Sequence, residues 1–320
     1  MAHHLVLGTG GTGRATAAHL VAAGHTVTLA SRSGTVSERP WEALHPGSVS
    51  LAAVDLRDAD RLIEVAAGAA SIVNALNPRS YTTWDEEWPP LAAALLRAAE
   101  RTGAGLVTIS NLYGYGYGLV DEPMTESREL RPNGHKGQLR AQMWRDALAL
   151  HQTGRIRATE LRASDYFGPG ATPGASILND LVLKRAARGA TVVMPMGRAD
   201  APHSWTYLSD IGVLAATLAT DDRAWGRAWH VPTSVPRSVR EVATEAARLN
   251  GHRRARVWTA PRGLVTAGGA VWPLLKELRE TRHQFERPFI LDSRQTEDTF
   301  GLAPTPWDDA LRATLAALAR

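Results

Sequence analysis

The sequence contains no cysteine, which excludes disulfides, thiolate metal sites and a cysteine nucleophile. It also lacks an apolar run long enough to span a bilayer, and it begins with a strand-like run instead of a signal-peptide pattern. We therefore expect a cytoplasmic protein without a membrane partner. No group of side chains has the spacing of metal ligands, and the chain has neither a repeat nor a low-complexity tract.

The charge pattern also lacks blocks of one sign. The formal net charge is +4, but the arginines are scattered singly, which favours a solvated surface over a nucleic-acid partner. The adjacent His3 and His4 lie on a predicted strand and should point to opposite faces, so we interpret them as structural.

A glycine-rich stretch near the start is the most informative feature of the chain. A short apolar run at 5–7 leads into a turn with three spaced glycines and then into an alanine-rich helix, and a second strand-like run follows at 26–30. This strand, turn and helix predict a dinucleotide site, with phosphates at the helix N-terminus. A simple glycine loop is the alternative. The residues predicted to bind cofactor here are Gly8, Gly10, Gly11, Thr12 and Gly13.

The end of the second strand indicates which dinucleotide binds. Arg32, flanked by Ser31 and Ser33, favours NADP(H), because an arginine at this place accommodates the additional phosphate. NAD(H) stays possible, and Arg32 could instead be an ordinary exposed arginine.

Further polar residues follow predicted strands at the edge where open parallel sheets bind ligands. Asp55, with Leu56, is a candidate adenine contact or alternatively a helix cap, and Asn74 is a further cofactor candidate.

The alternation of strand-like and helix-like segments predicts an α/β protein with a Rossmann-type doubly wound parallel sheet. We expect the dinucleotide-binding domain at 1–165, with 206–235 returning to it. A smaller, mostly C-terminal substrate domain should comprise 166–205 and 236–320. Among the local elements, we expect a loop at 77–90 and a helix at 262–281.

Several segments after predicted strands or in loops supply the candidate residues for a small-molecule substrate. Tyr113, Tyr115 and Tyr117 alternate with glycines after the fifth strand, and Ser110 lies just before them. A flexible surface loop is the alternative. His203 could serve in acid-base work or be a satisfied loop histidine. The predicted substrate-binding residues are Tyr81, Asp165, Tyr166, Phe167, His203, Trp205 and Tyr207.

Together these landmarks resemble the extended short-chain dehydrogenase/reductase superfamily, the branch of NAD(P)-dependent sugar epimerases and dehydratases. The glycine turn at 9–13 looks like the T-G-G-x-G motif of that superfamily, and Tyr113-Gly114 resembles its Y-G. The segment 162–170 is similar to R-x-x-N-x-Y-G-P-G, with Asp165 in place of Asn, and 207–210 resembles a later motif that ends in Asp.

The resemblance implies a catalytic Y-x-x-x-K pair, and here the chain departs from it. Lys136 occupies the place of the Tyr and Arg140 that of the Lys. Arg140 could still hold the nicotinamide ribose, and Lys136, Tyr113 or Tyr115 could supply the proton, with Ser110 orienting a carbonyl oxygen. Alternatively, both cations are ordinary helix-surface residues.

We therefore expect an NADP(H)-dependent oxidoreductase, monomeric or homodimeric, acting on a small carbonyl, hydroxyl or activated-alkene substrate. The alternatives are an epimerase or dehydratase, and a non-catalytic NADP(H)-binding sensor or regulator.

Overall fold

The computed structural model describes residues 1–43, 45–78, 81–117, 122–195, 197–261 and 280–319. The chain divides into two compact units. Unit 1 comprises 1–111, 139–163 and 208–231, and unit 2 comprises 112–138, 164–207 and 232–320.

The bounds of the strands in the described part of the chain are β1 His3–Leu7, β2 Thr26–Ser31, β3 Val49–Ala53, β4 Ser71–Asn74, β5 Gly105–Asn111, β6 Ala158–Ala163, β7 Tyr166–Phe167, β8 Val192–Met194, β9 Thr206–Tyr207, β10 Ala228–His230 and β11 Val257–Thr259.

The bounds of the helices are α1 Gly11–Ala22, α2 Ala59–Ala66, α3 Trp84–Thr102, α4 His135–Gln152, α5 Lys184–Ala186, α6 Leu208–Thr220, α7 Val239–Leu249, α8 His283–Glu286, α9 Arg294–Phe300 and α10 Trp307–Leu318. A π-helical segment, Leu178–Leu183, runs directly into α5. The predicted helix at 262–281 lies outside the described residues except for its last two positions. No described helix combines the length and apolar character required to cross a membrane.

Unit 1 is built on a seven-stranded sheet in the order β10-β6-β5-β4-β1-β2-β3, with every neighbouring pair parallel. The order 3-2-1-4-5-6 within it is that of a dinucleotide-binding α/β fold. The predicted Rossmann-type doubly wound sheet is thus confirmed. Helices α1 and α6 pack so closely that a Cβ on Gly212 would lie 2.7 Å from the Ala15 carbonyl carbon.

Unit 2 contains two short parallel ladders, β7 with β9 and β8 with β11. Its larger apolar core joins Phe167 and Trp205 to side chains of α7 and α10. The residues 112–138 belong to this unit, whereas the sequence-based boundary at 165 assigned them to the dinucleotide-binding domain. The difference arises because Leu112 and Met124 share a small apolar cluster with Phe289 and Leu291.

The predicted loop at 77–90 was wrong in its second half, where α3 already begins at Trp84 and includes Pro89 and Pro90. The tryptophans Trp84 and Trp88 lie one helical turn apart, and both are buried. Burial of two indole rings outweighs the backbone hydrogen bonds that the prolines cannot make.

The two histidines of β1 point to opposite sides of the strand, as its alternation requires. His3 lies 3.1 Å from the hydroxyls of Thr26 and Thr28 on one side. His4 is buried, and its Nδ1 lies 2.8 Å from the Ser71 hydroxyl. Burial, together with smaller charge effects of His25 and His3, lowers the pKa of His4 to about 4.

This pKa predicts an acid-sensitive term in the stability of unit 1. Between pH 6.5 and 4 the unfolded chain binds a proton at His4 that the folded chain does not. The free energy of unfolding should therefore fall by about 3 kcal/mol as the pH drops through this window. Denaturant unfolding of a His4→Leu variant should lack this component, whereas His45→Leu, at an exposed position, should keep it. An unchanged pH slope in His4→Leu would contradict the assignment.

Candidate functional site

The glycine turn of unit 1, residues 8–13, requires its glycines for steric reasons. Gly8 has a φ of +108°, and its N–H donates to the Ala30 carbonyl at 2.8 Å. A Cβ on Gly13 would lie 1.8 Å from the Gly8 carbonyl oxygen, so no larger residue fits there. The turn therefore brings the end of β1 and the start of α1 together at backbone distance.

The N-terminus of α1 is open to an anion. Gly10 is its N-cap and makes no side-chain capping bond, and the first turn carries no acidic side chain. The backbone N–H groups of Gly11, Thr12 and Gly13 are therefore suited to hold a pyrophosphate. Thr16, which stands where the superfamily has its last glycine, is buried and donates to the Thr12 carbonyl at 2.8 Å. Gly8 and Gly13 bring β1 and α1 into backbone contact, and the N-terminus of α1 beside this turn, which has no side-chain cap, fits the pyrophosphate of a dinucleotide.

The residues after β2 present a positive charge to solvent. Arg32 is exposed, and the Ser31 hydroxyl accepts from the Gly34 N–H at 3.2 Å. The hydroxyl of Ser33 lies 2.8 Å from that of Thr35. This segment therefore holds its serines in local turns and leaves the arginine side chain exposed.

A second arginine here was missed by the sequence analysis. Arg14 of α1 donates to the Ser37 hydroxyl at 2.9 Å and pairs with Glu38 at 3.0 Å. It thereby ties the loop that follows β2 to the first turn of α1. Its position within the glycine motif is visible in the sequence, but its partners are not.

Asp55 is not a helix cap, because Asp58 caps α2 by accepting from the N–H groups of Asp60 and Arg61. The Asp55 carboxylate is instead bound by the Arg57 guanidinium at 3.1 and 2.9 Å. These hydrogen bonds hold its pKa below the usual range.

The two other cofactor candidates near these strand ends are buried. Leu56 belongs to the core of unit 1. Asn74 is fully buried, and its Oδ1 accepts from the Leu76 N–H at 3.2 Å.

Unit 1 also buries a group of charges around Glu160. Glu160 pairs with Arg162 at 2.6 Å, and both side chains are almost fully buried. The Ser110 hydroxyl also hydrogen-bonds Glu160, and Arg140 contributes a further positive charge. Burial raises the pKa of Glu160, while these three partners act in the opposite direction.

Arg140 lies against aromatic rings. Its guanidinium carbon is 4.1 Å from the ring centroid of Trp88 and 5.1 Å from that of Trp84. Arg140 is 5% exposed, so the guanidinium is packed inside unit 1. The structure thus places Arg140 and Ser110, both predicted site residues, in one internal charge group. Their roles in binding and catalysis stay predictions.

Lys136, which stands where the superfamily has its tyrosine, is bound by the carboxylate of Glu280, a residue far away in the sequence. Lys136 is 3% exposed, and its Nζ lies 3.2 Å from Glu280 Oε2. The other oxygen of Glu280 accepts from the Lys136 backbone N–H at 2.6 Å, at the first turn of α4. A carboxylate at this end of a helix is also stabilised by the helix dipole. Lys136 is therefore not an ordinary helix-surface cation.

The three tyrosines of the loop after β5 have different environments. Tyr115 is 1% exposed and packs in the small apolar cluster with Met124. Tyr117 is 64% exposed, and its ring meets that of His283 edge to face at 4.9 Å. Tyr113 is half-buried and lines a small cavity of unit 2. Of the three, Tyr113 has the best position for a contact with a ligand in this cavity.

The remaining wall of that cavity comes from residues that the sequence analysis missed. The complete lining is Tyr113, Asn133, Gly137, Glu280, Thr281, His283 and Gln284. Burial lowers the pKa of His283, while the carbonyls of Glu280 and Gly116 and the carboxylates of Glu286 and Glu280 partly oppose this shift. No local motif marks these residues, because they meet Tyr113 only in the folded chain.

A hydrogen-bonded series connects Asp165 to the same wall. His203 is 2% exposed, and its Nε2 lies 2.9 Å from Asp165 Oδ2. Its Nδ1 lies 3.1 Å from the Gln284 carbonyl oxygen, which can only accept. The Phe285 ring stacks on His203 at 4.8 Å. Both ring nitrogens of His203 are thus engaged, and Asp165 and His203 together hold a proton between them.

Other predicted substrate residues lie mainly in the core of unit 2. Phe167 is 1% exposed and contacts Tyr207 and Trp307. Trp205 is buried and donates to the Arg237 carbonyl at 2.8 Å. Tyr166 is half-buried. The side chain of Tyr81 lies outside the described part of the structure, and no group of three potential metal ligands occurs in that part.

The sheet order and the glycine turn define a dinucleotide-binding protein of the Rossmann type. Residues 4–229 match the sequence model of the NAD dependent epimerase/dehydratase family. The chain belongs to this family of enzymes, which confirms the resemblance described above. No curated protein sequence matches the chain.

Several solved structures share the fold over almost their whole length. UDP-glucose 4-epimerase from Thermotoga maritima, in a structure with UDP-glucose, is 16% identical, with a TM-score of 0.77 and coverage of 99% of this chain and 98% of that chain. dTDP-glucose 4,6-dehydratase from Bacillus anthracis, in complex with NAD, is 15% identical, with a TM-score of 0.80 and coverage of 100% and 97%. UDP-glucose 4-epimerase from Thermus thermophilus, also with NAD, is 18% identical, with a TM-score of 0.76 and coverage of 99% of each chain.

The Asp165–His203 pair makes a prediction about unit 2. Asp165→Ala should lower the free energy of unfolding by about 1–3 kcal/mol, because His203 Nε2 stays buried without a partner. Asp165→Asn, the residue type of the resembled motif, offers an amide N–H to Nε2 and should recover most of this loss. The comparison is made by denaturant unfolding. No loss in Asp165→Ala would show that the pair does not stabilise unit 2, and equal losses in the two variants would contradict the explanation by a partner for His203 Nε2.

Proposed function

We propose that the chain is an NADP(H)-dependent oxidoreductase of this family, acting on a small carbonyl, hydroxyl or activated-alkene substrate. The glycine turn supports dinucleotide binding, since Gly13 admits no side chain and α1 begins without an acidic residue. Bound there, the cofactor would supply the hydride chemistry, while the protein supplies orientation and electrostatics.

The exposed Arg32 is the observation that carries the preference for NADP(H). It stands at the end of β2 between two serines, where an acidic residue would favour the ribose hydroxyls of NAD. Arg57 adds a second cation in this region, since both Arg57 and Arg32 lower the pKa of Asp55, although Asp55 binds the Arg57 guanidinium. A free guanidinium can bind a phosphate in bidentate geometry.

Tyr113 is the proton donor that we favour. Its phenol can donate and accept hydrogen bonds, and it lines the cavity of unit 2 together with Glu280. Lys136 is held by that same Glu280, so the carboxylate connects the lysine to the cavity wall. Tyr115, in contrast, lies in an apolar cluster, which argues against its use as a proton donor.

An epimerase or dehydratase is the second candidate. The family is named for these activities, and the similar solved structures include a UDP-glucose 4-epimerase and a dTDP-glucose 4,6-dehydratase. Such reactions need only a transient hydride transfer to and from a cofactor bound at the same site. A cytoplasmic location and a monomeric or homodimeric state remain predictions from the sequence.

Arg32→Ala should weaken NADPH binding about 10- to 100-fold, because a charge-assisted contact to the phosphate is lost. NADH binding should change little. Fluorescence titration with each cofactor measures both constants, and Arg39→Ala, another exposed arginine after β2, is the matched control. An equal loss for NADPH and NADH would contradict the assignment of Arg32.

Turnover tests the reaction itself. NADPH consumption is measured with a panel of aldehydes, ketones and enones, and at least one substrate class should be reduced. NADPH binding without turnover across the panel would overturn the oxidoreductase proposal. Isomerisation or dehydration of a nucleotide sugar without net cofactor consumption would favour the second candidate.

A further inference from the structure

The loop that follows β2 carries an acidic residue as well as the exposed Arg32. The Glu38 side chain is 66% exposed, and its Oε2 lies 3.0 Å from Nη2 of Arg14. In dinucleotide-binding folds an acidic residue beyond the second strand selects NAD, because its carboxylate accepts from the ribose hydroxyls. Glu38 is thus a residue of the NAD-selective type in a loop whose arginine favours NADP(H).

The guanidinium of Arg14 joins Glu38 to the glycine turn. Arg14 is 9% exposed. Its Nη1 donates to the Thr9 carbonyl at 3.4 Å and to the Ser37 hydroxyl at 2.9 Å, while its Nη2 binds Glu38. The Glu38 carboxylate is therefore anchored beside the turn that is suited to the pyrophosphate. In this fold the ribose next to the pyrophosphate reaches the end of the second strand, so the carboxylate stands on the ribose side of the turn.

The Arg14–Glu38 ion pair differs from an ordinary surface pair. Two fully exposed side chains gain little from pairing, because both lose conformational freedom. Here the guanidinium is mostly buried and also binds Thr9 and Ser37, so it is already fixed when the carboxylate pairs with it. The charge of Glu38 is thereby compensated at the place where a dinucleotide with an additional phosphate would bring further negative charge.

We propose that Arg14 is a positioning residue that neutralises Glu38 and thereby selects NADP(H) over NAD(H). Without the arginine, the free carboxylate repels the additional phosphate and accepts hydrogen bonds from the ribose hydroxyls of NAD(H). The selectivity then resides in the pair, in addition to Arg32. This inference rests on the proposed binding of NADP(H) at the glycine turn. A direct contact of Arg14 with the phosphate is the competing explanation.

The test is fluorescence titration of the full chain with NADPH and with NADH. Arg14→Met should weaken NADPH binding and strengthen NADH binding, each about tenfold, because Glu38 becomes a free carboxylate. Glu38→Gln alone should leave NADPH binding nearly unchanged, since this charge is already compensated. The double variant Arg14→Met/Glu38→Gln should bind NADPH within about twofold of the wild-type chain, because no carboxylate remains to repel the phosphate.

Two controls isolate the charge of Glu38 from other effects. Arg14→Lys keeps a cation beside the carboxylate and should keep the preference for NADPH. Glu42→Gln removes another exposed carboxylate of the same loop, and in the Arg14→Met background it should not restore NADPH binding. If Arg14→Met does not fold, Arg14→Gln takes its place in each comparison.

Two results would overturn the proposal. Equal weakening of NADPH and NADH in Arg14→Met would mean that Arg14 only orders the loop. Failure of Glu38→Gln to restore NADPH binding in Arg14→Met would mean that Arg14 itself contacts the phosphate. The wild-type chain decides the proposed function separately. Tighter binding of NADH than of NADPH there would refute the NADP(H) preference, while the ratio of the two constants in the variants still tests Arg14. Binding of neither cofactor would refute both.

Discussion

Compensation of buried charge is the constraint on which the arrangement of helix α4 depends. An unpaired buried cation costs several kcal/mol, so each one requires a partner. Lys136 obtains it from Glu280, and Arg140 lies against two indole rings with Glu160 as a nearby anion. All of these partners lie outside α4 in the sequence.

Because of these partners, the departure from Y-x-x-x-K replaces a tyrosine and a lysine by two buried cations whose charges are compensated. The two positions that carry a tyrosine and a lysine in the resembled superfamily carry buried cations here, each tied into its surroundings. Lys136 contributes to holding the first turn of α4, and Arg140 contributes to the packing of α3 through Trp84 and Trp88. The proposed oxidoreductase would then take its proton from another group, and Tyr113 is the half-buried phenol among the three predicted tyrosines.

The sequence predicted those features that local patterns encode. The doubly wound parallel sheet follows from alternating strand-like and helix-like segments, and the glycine turn follows from a motif in which every residue is a chain neighbour. Prediction from the sequence failed where a contact between residues far apart in the chain decides the local structure. Helix α3 begins before two prolines because Trp84 and Trp88 find a buried environment. Glu280, His283 and Gln284 reach the site from a segment that carries no recognisable motif. Asp55 and Asp58 show a finer limit, since either could cap α2 and only the backbone geometry selects Asp58.

The central claim is that Lys136 and Arg140 are held as compensated buried charges. The most direct measurement is the free energy of unfolding of the double variant Lys136→Tyr/Arg140→Lys, which restores the tyrosine and lysine of the superfamily. The account predicts a loss of about 3 kcal/mol, because Glu280 loses its cation and the indole rings lose the planar guanidinium. An unchanged or increased free energy of unfolding would contradict it.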